Sequence, residues 1–376
     1  VTNMLTLIKS HLPASKRAVR TLSENVDALR LDVNNLNAAI NDLSTKLNDN
    51  LEVSHQNHEL LDRYGAHIEK LSWVGLRRED EDELAAKQRI FKQMFHATGP
   101  LRLLQSSCAQ LLKEFDALCR KNSIQYWINC GTLIGAVRHQ GFIPWDDDTD
   151  LGMPRDQIQK LQTVITSDPI YSKRFKVSLT YDPYAFCRQI RFMYNDPNNP
   201  CFLDLFIYDY TDEDREEHYL ERTALRKRMI DEFRSLPYFE EWERHGYLAV
   251  GDTHSQEIEA IFENYRQRAL EEGVITTDSE APALLYGMDN YTPHVELMRA
   301  YRSDDIFPLK DLSFEGATVL APQHPETILE REYGDIYELP DDMVSHFEHV
   351  SRQLFKNPEI LRSLKACSQN PEAYLN

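Results

Sequence analysis

Residues 125–153, QYWINCGTLIGAVRHQGFIPWDDDTDLGM, constrain this chain more than any other stretch. Within them an apolar run, a glycine turn, a short helical pattern and four aspartates follow one another without a spacer. Tyr126, Trp127 and Ile128 predict a short buried strand, and Gly131-Thr132 a turn that opens a helix bearing Leu133, Ile134, Ala136 and Val137. A helix start behind a glycine turn aims unpaired N–H groups and the positive end of the helix dipole at the space before it, which favours an anion such as a phosphate. Gly141 and Pro144 end the helix and turn the chain into Trp145-Asp146-Asp147-Asp148-Thr149-Asp150.

Extended backbone sends successive side chains to opposite faces, so a strand here places Asp146, Asp148 and Asp150 on one face and Asp147 on the other. Three like charges on one face repel, and partial burial makes them costly unless something compensates them. A divalent cation is the natural compensation, and an all-oxygen ligand set selects magnesium or manganese over zinc. A second apolar run, Cys201 to Asp209, holds Asp204 inside strand-like sequence, where it is expected to add a further acid to the same metal. A run of aspartates alone is compatible with a solvated loop, and Asp-Xaa-Asp arises by chance in acidic chains. The ordered combination of strand, glycine turn, helix, alternating acids and isolated acid is what points to catalysis.

At 376 residues the chain exceeds one typical domain. A formal charge of −19 argues against nucleic acid as a partner, because neutralising phosphates takes a basic surface. Sequence alone offers no apolar run long enough to cross a bilayer and no leader-like start, although the chain begins at Val1, which leaves an upstream anchor and peripheral membrane association open. The six cysteines are scattered without a Cys-x-x-Cys pair, which predicts a reducing, cytoplasmic location and neither disulfides nor a zinc site.

Residues 16–72 carry a heptad stripe: Val19, Val26, Val33, Ile40 and Leu47 at a, and Leu22, Leu29, Leu36 and Leu43 at d. It turns polar near Asn50 to Asn57 and resumes in register at Leu61, Tyr64, Ile68 and Leu71. β-branched a with leucine d favours a parallel homodimer, and a homotrimer stays open because few charges flank the seam. Residues 1–77 are therefore expected to be a coiled-coil oligomerisation stalk, in which the 16–72 helix would extend roughly 80 Å at about 1.5 Å per residue. Residues 78–104 then serve as a helical linker. The main domain is expected over 105–345, with a charged helical insertion at 213–300 and a helical tail at 346–376 without chemical signature. Residues 174–194 predict two strands about Asp182-Pro183. Arg188 and Arg191 cannot share a face of a regular strand, and Arg191 is the one expected to meet a substrate phosphate.

The stretch YWINCGTLIGAVRHQGFIPWDDDTDLGMPR, with CFLDLFIYD, SFEGATVLAP and LEREYGDIYELP further on, resembles the LicD family, which is related to fukutin and the fukutin-related protein. The resemblance covers about residues 105–345. It implies an α/β (α+β) fold with a nucleotidyltransferase-like mixed sheet flanked by helices, to which the coiled-coil helix is an N-terminal addition. It also implies transfer of a phosphorylated alcohol, such as phosphocholine, from a cytidine diphosphate (CDP)-linked donor to a glycan or lipid-linked oligosaccharide hydroxyl. By matching position, Asp146, Asp148, Asp150 and Asp204 would hold magnesium or manganese, with Asp148, Asp150 and Asp204 catalytic. Gly131, Thr132 and Arg138 would face the donor phosphates, and His139 is an alternative base. Choline would want aromatic rings around its cation, for which Trp127, Trp145, Tyr181, Tyr184 and Tyr194 are available. Two rival readings are a glycosyltransferase using Asp148-Thr149-Asp150 as its metal motif and an inactive coiled-coil scaffold.

Overall fold

A computed structural model describes residues 70–213, 215–292, 298–338 and 349–375, together with 31, 35–37, 41–48, 52–54, 60, 63–65 and 67–68. The expected strand at the head of the motif is β1 (Trp127–Ile128), which pairs antiparallel with β2 (Asp150–Pro154), Trp127 opposite Gly152. A Cβ on residue 152 would lie 2.7 Å from indole Cζ2 and nearer still to Cε2 and Nε1, so only glycine leaves room for the buried ring. That indole packs on Tyr208 and Phe307.

β2 runs parallel to β5 (Phe202–Thr211), the strand around which the sheet is built. The first half of β5 pairs antiparallel with β4 (Cys187–Tyr194) and its second half with β7 (Ala283–Tyr286). β3 (Phe175–Asp182) pairs with β4 along eight positions, β6 (Leu248–Ala249) joins β3, and β8 (Ala300–Arg302) joins β7. The result is a mixed eight-stranded sheet with one parallel pair among the described residues, the α/β class expected. A separate hairpin is formed by β9 (Lys310–Phe314) and β10 (Ala317–Ala321).

The helices bury 3.6-period apolar faces around this sheet. Preceded by α1 (Glu83–Lys92), α2 (Gly99–Lys121) carries Pro100 in its first turn and buries Leu104, Cys108, Leu111, Leu112 and Phe115. α3 (Cys130–His139) follows β1, and α4 (Arg155–Ser167) with α5 (Pro169–Arg174) joins β2 to β3. α6 (Arg215–Arg234), α7 (Phe239–His245) and α8 (Ser255–Glu271) form a helical layer. α9 (Ser303–Ile306), α10 (Pro325–Tyr333) and α11 (Pro358–Gln369) complete the set.

Two expected boundaries change. Residues 213–300 are not a purely helical insertion, because β7 and β8 belong to the central sheet; their short apolar runs, ALLY and AYR, are too brief for periodicity to separate from helix. Residues 349–375 are not an appendage either, since α11 packs along α2, with Ser107 Oγ donating to the Leu364 carbonyl at 3.0 Å.

The chain divides into two units, residues 1–86 and 87–376. In the first, the described residues 41–48 and 70–76 are helical, and Leu36, Leu43, Leu47, Ile68 and Leu71 of the heptad stripe are exposed. Much of the stripe, Val19 to Val33 and Ile40 among it, lies outside the described residues. Among the described residues no helix is long and apolar enough to cross a membrane.

Candidate active site

Sheet register assembles the acids. Asp150 stands opposite Asp204 in the β2–β5 ladder, and Asp204 opposite Arg191 in the β5–β4 ladder, so three adjacent strands present these side chains in a row. The preceding loop adds Asp148, and oxygens of Asp148, Asp150 and Asp204 all lie within 4.8 Å of one another. Burial pushes the Asp150 carboxyl well above the ordinary range, helped by the charges of Asp148 and Asp204. Asp148 is pushed up by burial against the pull of His349. A close, all-oxygen set of this kind, one member buried and two half-buried, fits a hard divalent cation.

The expected pleat is absent over most of the motif. Strand β2 begins only at Asp150; the Asp146 N–H donates to the Ile143 carbonyl at 3.0 Å and closes a turn over 143–146, and residues 146–149 are irregular. Asp146 still lines one cavity with Asp148 and Asp150, and Asp147 does not, although no strand sets that order. Asp146 hydrogen-bonds Asp148 and stands outside the 4.8 Å set, its carboxyl pushed well up by burial and then by Asp148. Asp147 turns to the C-terminal segment: its Oδ2 accepts the N–H groups of His349 at 3.2 Å and Val350 at 3.0 Å, and its Oδ1 lies 3.0 Å from His349 Nδ1. Asp147, Asp148 and His349 form a second set that could hold a metal.

The acidic loop is braced from outside the motif. Gln105 of α2, almost fully buried, donates to the carbonyls of Ile143 at 3.3 Å and Asp146 at 2.9 Å. Glu315, in the β9–β10 turn at φ +50°, accepts the Phe142 N–H at 3.2 Å and pairs with Arg102 at 2.7 Å. Its own N–H donates to the Gln140 carbonyl at 3.0 Å. The Phe-Glu-Gly element thus clamps the end of α3.

At the start of α3, Cys130 and Gly131 line the same cavity as the acids. The first amides of a helix have no intrahelical partner, so this end can receive anionic oxygens. A Cβ at residue 131 would come within 3.0 Å of Asp146 Oδ2. Thr132 serves differently from expectation: it is buried, and its Oγ1 accepts the Asp150 N–H at 2.8 Å, fixing the first residue of β2.

Arg138 and His139 are not brought to the acids. Eight and nine residues along from the helix start, they sit at its other end, where Arg138 donates to the Ile336 carbonyl and to His139 Nε2 at 3.0 Å and lies over the Phe91 ring. His139 Nδ1 contacts the Phe91 carbonyl at 2.9 Å. With Nδ1–H donating and Nε2 accepting, the imidazole is neutral and both nitrogens are used, which removes it as a base for the reaction. Arg191 does line the cavity, but its Nε donates to Asp204 Oδ1 at 2.8 Å and its guanidinium covers the Phe202 ring at 3.8 Å, so it is a partner of the acid set first.

The cavity encloses about 670 Å³. Sequence reasoning missed several of its walls: Tyr286 and Arg299, delivered by the β7–β8 segment, and His349 from the C-terminal segment. None has a local motif. Arg299 is held by Glu332 at 3.3 Å and lies over the Tyr286 ring at 4.8 Å.

The globular part is a mixed α/β domain, a mixed sheet flanked by helices. Residues 123–242 match the family model of the LicD/FKTN/FKRP nucleotidyltransferase domain, and this segment is a domain of that type. Similar proteins include the lipopolysaccharide cholinephosphotransferase LicD of Haemophilus influenzae, 36% identical over 121 residues, 29% of this chain and 44% of the relative. A Rickettsia typhi protein without an assigned function is 43% identical over 114 residues, 30% of this chain and 32% of its own length. The ribitol 5-phosphate transferase FKRP of Mus musculus is 30% identical over 89 residues, 22% of this chain and 17% of its own. The matched stretch spans less than half the length of each of these relatives.

Proposed function

We propose that this protein transfers a phosphorylated alcohol from a CDP-linked donor to a hydroxyl of a glycan or lipid-linked oligosaccharide. The observation that carries the reading is the register placing Asp150 beside Asp204, with Asp148 completing the set, at the N-terminal end of α3. Similarity to two transferases of phosphorylated alcohols supports the reaction class. Asp148, Asp150 and Asp204 would hold magnesium or manganese, with Asp146 beside them. Such an ion supplies charge stabilisation to diphosphate oxygens.

The chain's own residues do the rest. The first amides of α3, at Cys130 and Gly131, receive phosphate oxygens, and Thr132 fixes Asp150 while Arg191 fixes Asp204. An acceptor hydroxyl oxygen bonds to the phosphorus bearing the alcohol. The bond from that phosphorus to the bridging oxygen breaks, and its electron pair leaves with cytidine monophosphate. The hydroxyl proton passes to a carboxylate of the set.

We place the protein in the cytoplasm, a reading supported by six unpaired, buried cysteines. Self-association as a dimer or trimer through the 16–72 stripe is supported by the exposure of Leu43, Leu47, Ile68 and Leu71 in the single chain. The test of function is release of cytidine monophosphate from CDP-linked choline, ribitol or glycerol in the presence of magnesium and a glycan acceptor. Release by wild type and not by Asp148→Asn supports the proposal. Release from a sugar nucleotide alone would replace it with the glycosyltransferase reading, and no release from any donor would favour the scaffold.

A further inference from the structure

The cavity wall is acidic beyond what one divalent ion needs. Among the described residues five carboxylates line it, Asp146, Asp148, Asp150, Asp182 and Asp204, and the described cations that line it are already engaged. Arg188 is bonded to Asp289 and Glu259, Arg191 to Asp204, Arg299 to Glu332, and His349 to Asp147 and Asp148. Asp182 differs from the other four. It is the last residue of β3, paired with Cys187 at the end of the β3–β4 ladder opposite the Phe175–Tyr194 pair, and it is not a member of the metal-type set. It is 5% exposed, and the bonds it receives come from neutral donors: the N–H groups of Tyr184 at 2.7 Å and Ala185 at 3.1 Å, and the Tyr247 hydroxyl.

Two aromatic rings flank this carboxylate. The pairing of Tyr181 with Leu248 in the antiparallel β3–β6 ladder sets Tyr247 next to Asp182. Tyr184 is held by its hydroxyl donating to the Glu243 carbonyl at 2.6 Å. Both rings line the cavity, yet they are 61% and 53% exposed for Tyr184 and Tyr247, so their faces are free for a ligand. Of the five aromatics the sequence offered for a cation, only Tyr184 lines the cavity; Trp127, Tyr181 and Tyr194 are buried, and Trp145 faces a different pocket.

A buried carboxylate with neutral donors and two exposed tyrosine faces is the chemistry that recognises an alkylammonium group. A neutral polyol would bring no charge to offset the acidic wall. We propose that the Asp182, Tyr184 and Tyr247 corner takes the cationic head of the transferred group, so that the donor carries an ammonium alcohol and not a polyol. This rests on the transfer reading above and names the part of the cavity that chooses the alcohol.

The test is calorimetric titration of the full chain, with magnesium, against CDP-choline, CDP-ribitol and cytidine monophosphate, on wild type, Tyr184→Leu and Tyr247→Leu. Each variant loses one hydroxyl hydrogen bond, so a fall in Tm of a few degrees is expected and the titrations are run well below it. Expected is binding of CDP-choline at least about tenfold tighter than CDP-ribitol, with each variant losing about tenfold for CDP-choline and nothing for cytidine monophosphate. Equal or tighter binding of CDP-ribitol would overturn the inference. So would an equal loss for cytidine monophosphate, which would assign the corner to the nucleobase. Failure of every cytidine nucleotide to bind is a different pattern, and it would remove the transfer reading and this inference together.

Discussion

Gly152→Ala tests whether the packing of one indole sets the position of the acid strand. The added Cβ would come within 3 Å of three Trp127 atoms. Trp127 is 1% exposed and has ring neighbours at 4.9 Å (Tyr208) and 6.0 Å (Phe307), so it cannot swing aside. Overpacking of a core costs about 1–3 kcal/mol, and a contact this close to an enclosed indole belongs at the upper end. Replacing glycine by alanine stiffens the unfolded chain and offsets about 0.4–1 kcal/mol. The net loss is about 2 kcal/mol, a fall in Tm of roughly 4–8 °C for a domain of this size. Thermal unfolding followed by tryptophan fluorescence and circular dichroism reads it. Trp127→Phe in the same background should recover part of the loss, because the smaller ring relieves the contact. A Tm within 1 °C of wild type, or no coupling between the two positions, would refute the claim that the indole and the glycine fix β2.

Asp150→Asn should raise the Tm of the metal-free protein. The folded state holds the Asp150 proton above the ordinary 3.8, so ionisation costs stability as pH rises past that value, and the variant's advantage should grow from about pH 4 towards neutrality. Thermal melts across that range check this, and a variant less stable at every pH would contradict it. His139 is pushed down to about 4 by burial and then by Arg138, so its contribution is complete above 6.5 and lost as pH falls through 4; His139→Asn should flatten stability over that interval. Burial acts upward on Glu315, but the bond and charge of Arg102 outweigh it and hold the carboxyl below 4.5. Glu315→Gln should cost about 1.5–3 kcal/mol at neutral pH, and this difference should fade below 4.5, as read by urea unfolding.

The glycine turn, the helix behind it and the three strands carrying Asp150, Asp204 and Arg191 were legible because each has a local pattern: an apolar run, a turn residue, an isolated charge in a strand. The adjacency of Asp150 and Asp204 was legible as an expectation, and the sheet register gives its physical cause. The common side of Asp146, Asp148 and Asp150 was legible too, but its cause was not: an irregular loop braced by Ile143 and Gln105 stands where a pleat was expected, and Gln105 lies 41 residues away in sequence. The resemblance implied that Arg138 faces the donor phosphates, but a ten-residue helix carries its side chain to the opposite end. His349 could not be found at all. What brings it to the site is a contact with Asp147, 202 residues away, in a segment whose own pattern is only helical.

The central claim is that Asp148, Asp150 and Asp204 hold a metal that makes the cavity a site for a CDP-linked donor. It is tested most directly by calorimetric titration of CDP-choline into wild type and Asp150→Asn, each with and without magnesium or manganese. The account predicts binding by wild type only when the metal is present and none by the variant under either condition. Equal binding without metal, or wild-type affinity in Asp150→Asn, would contradict it.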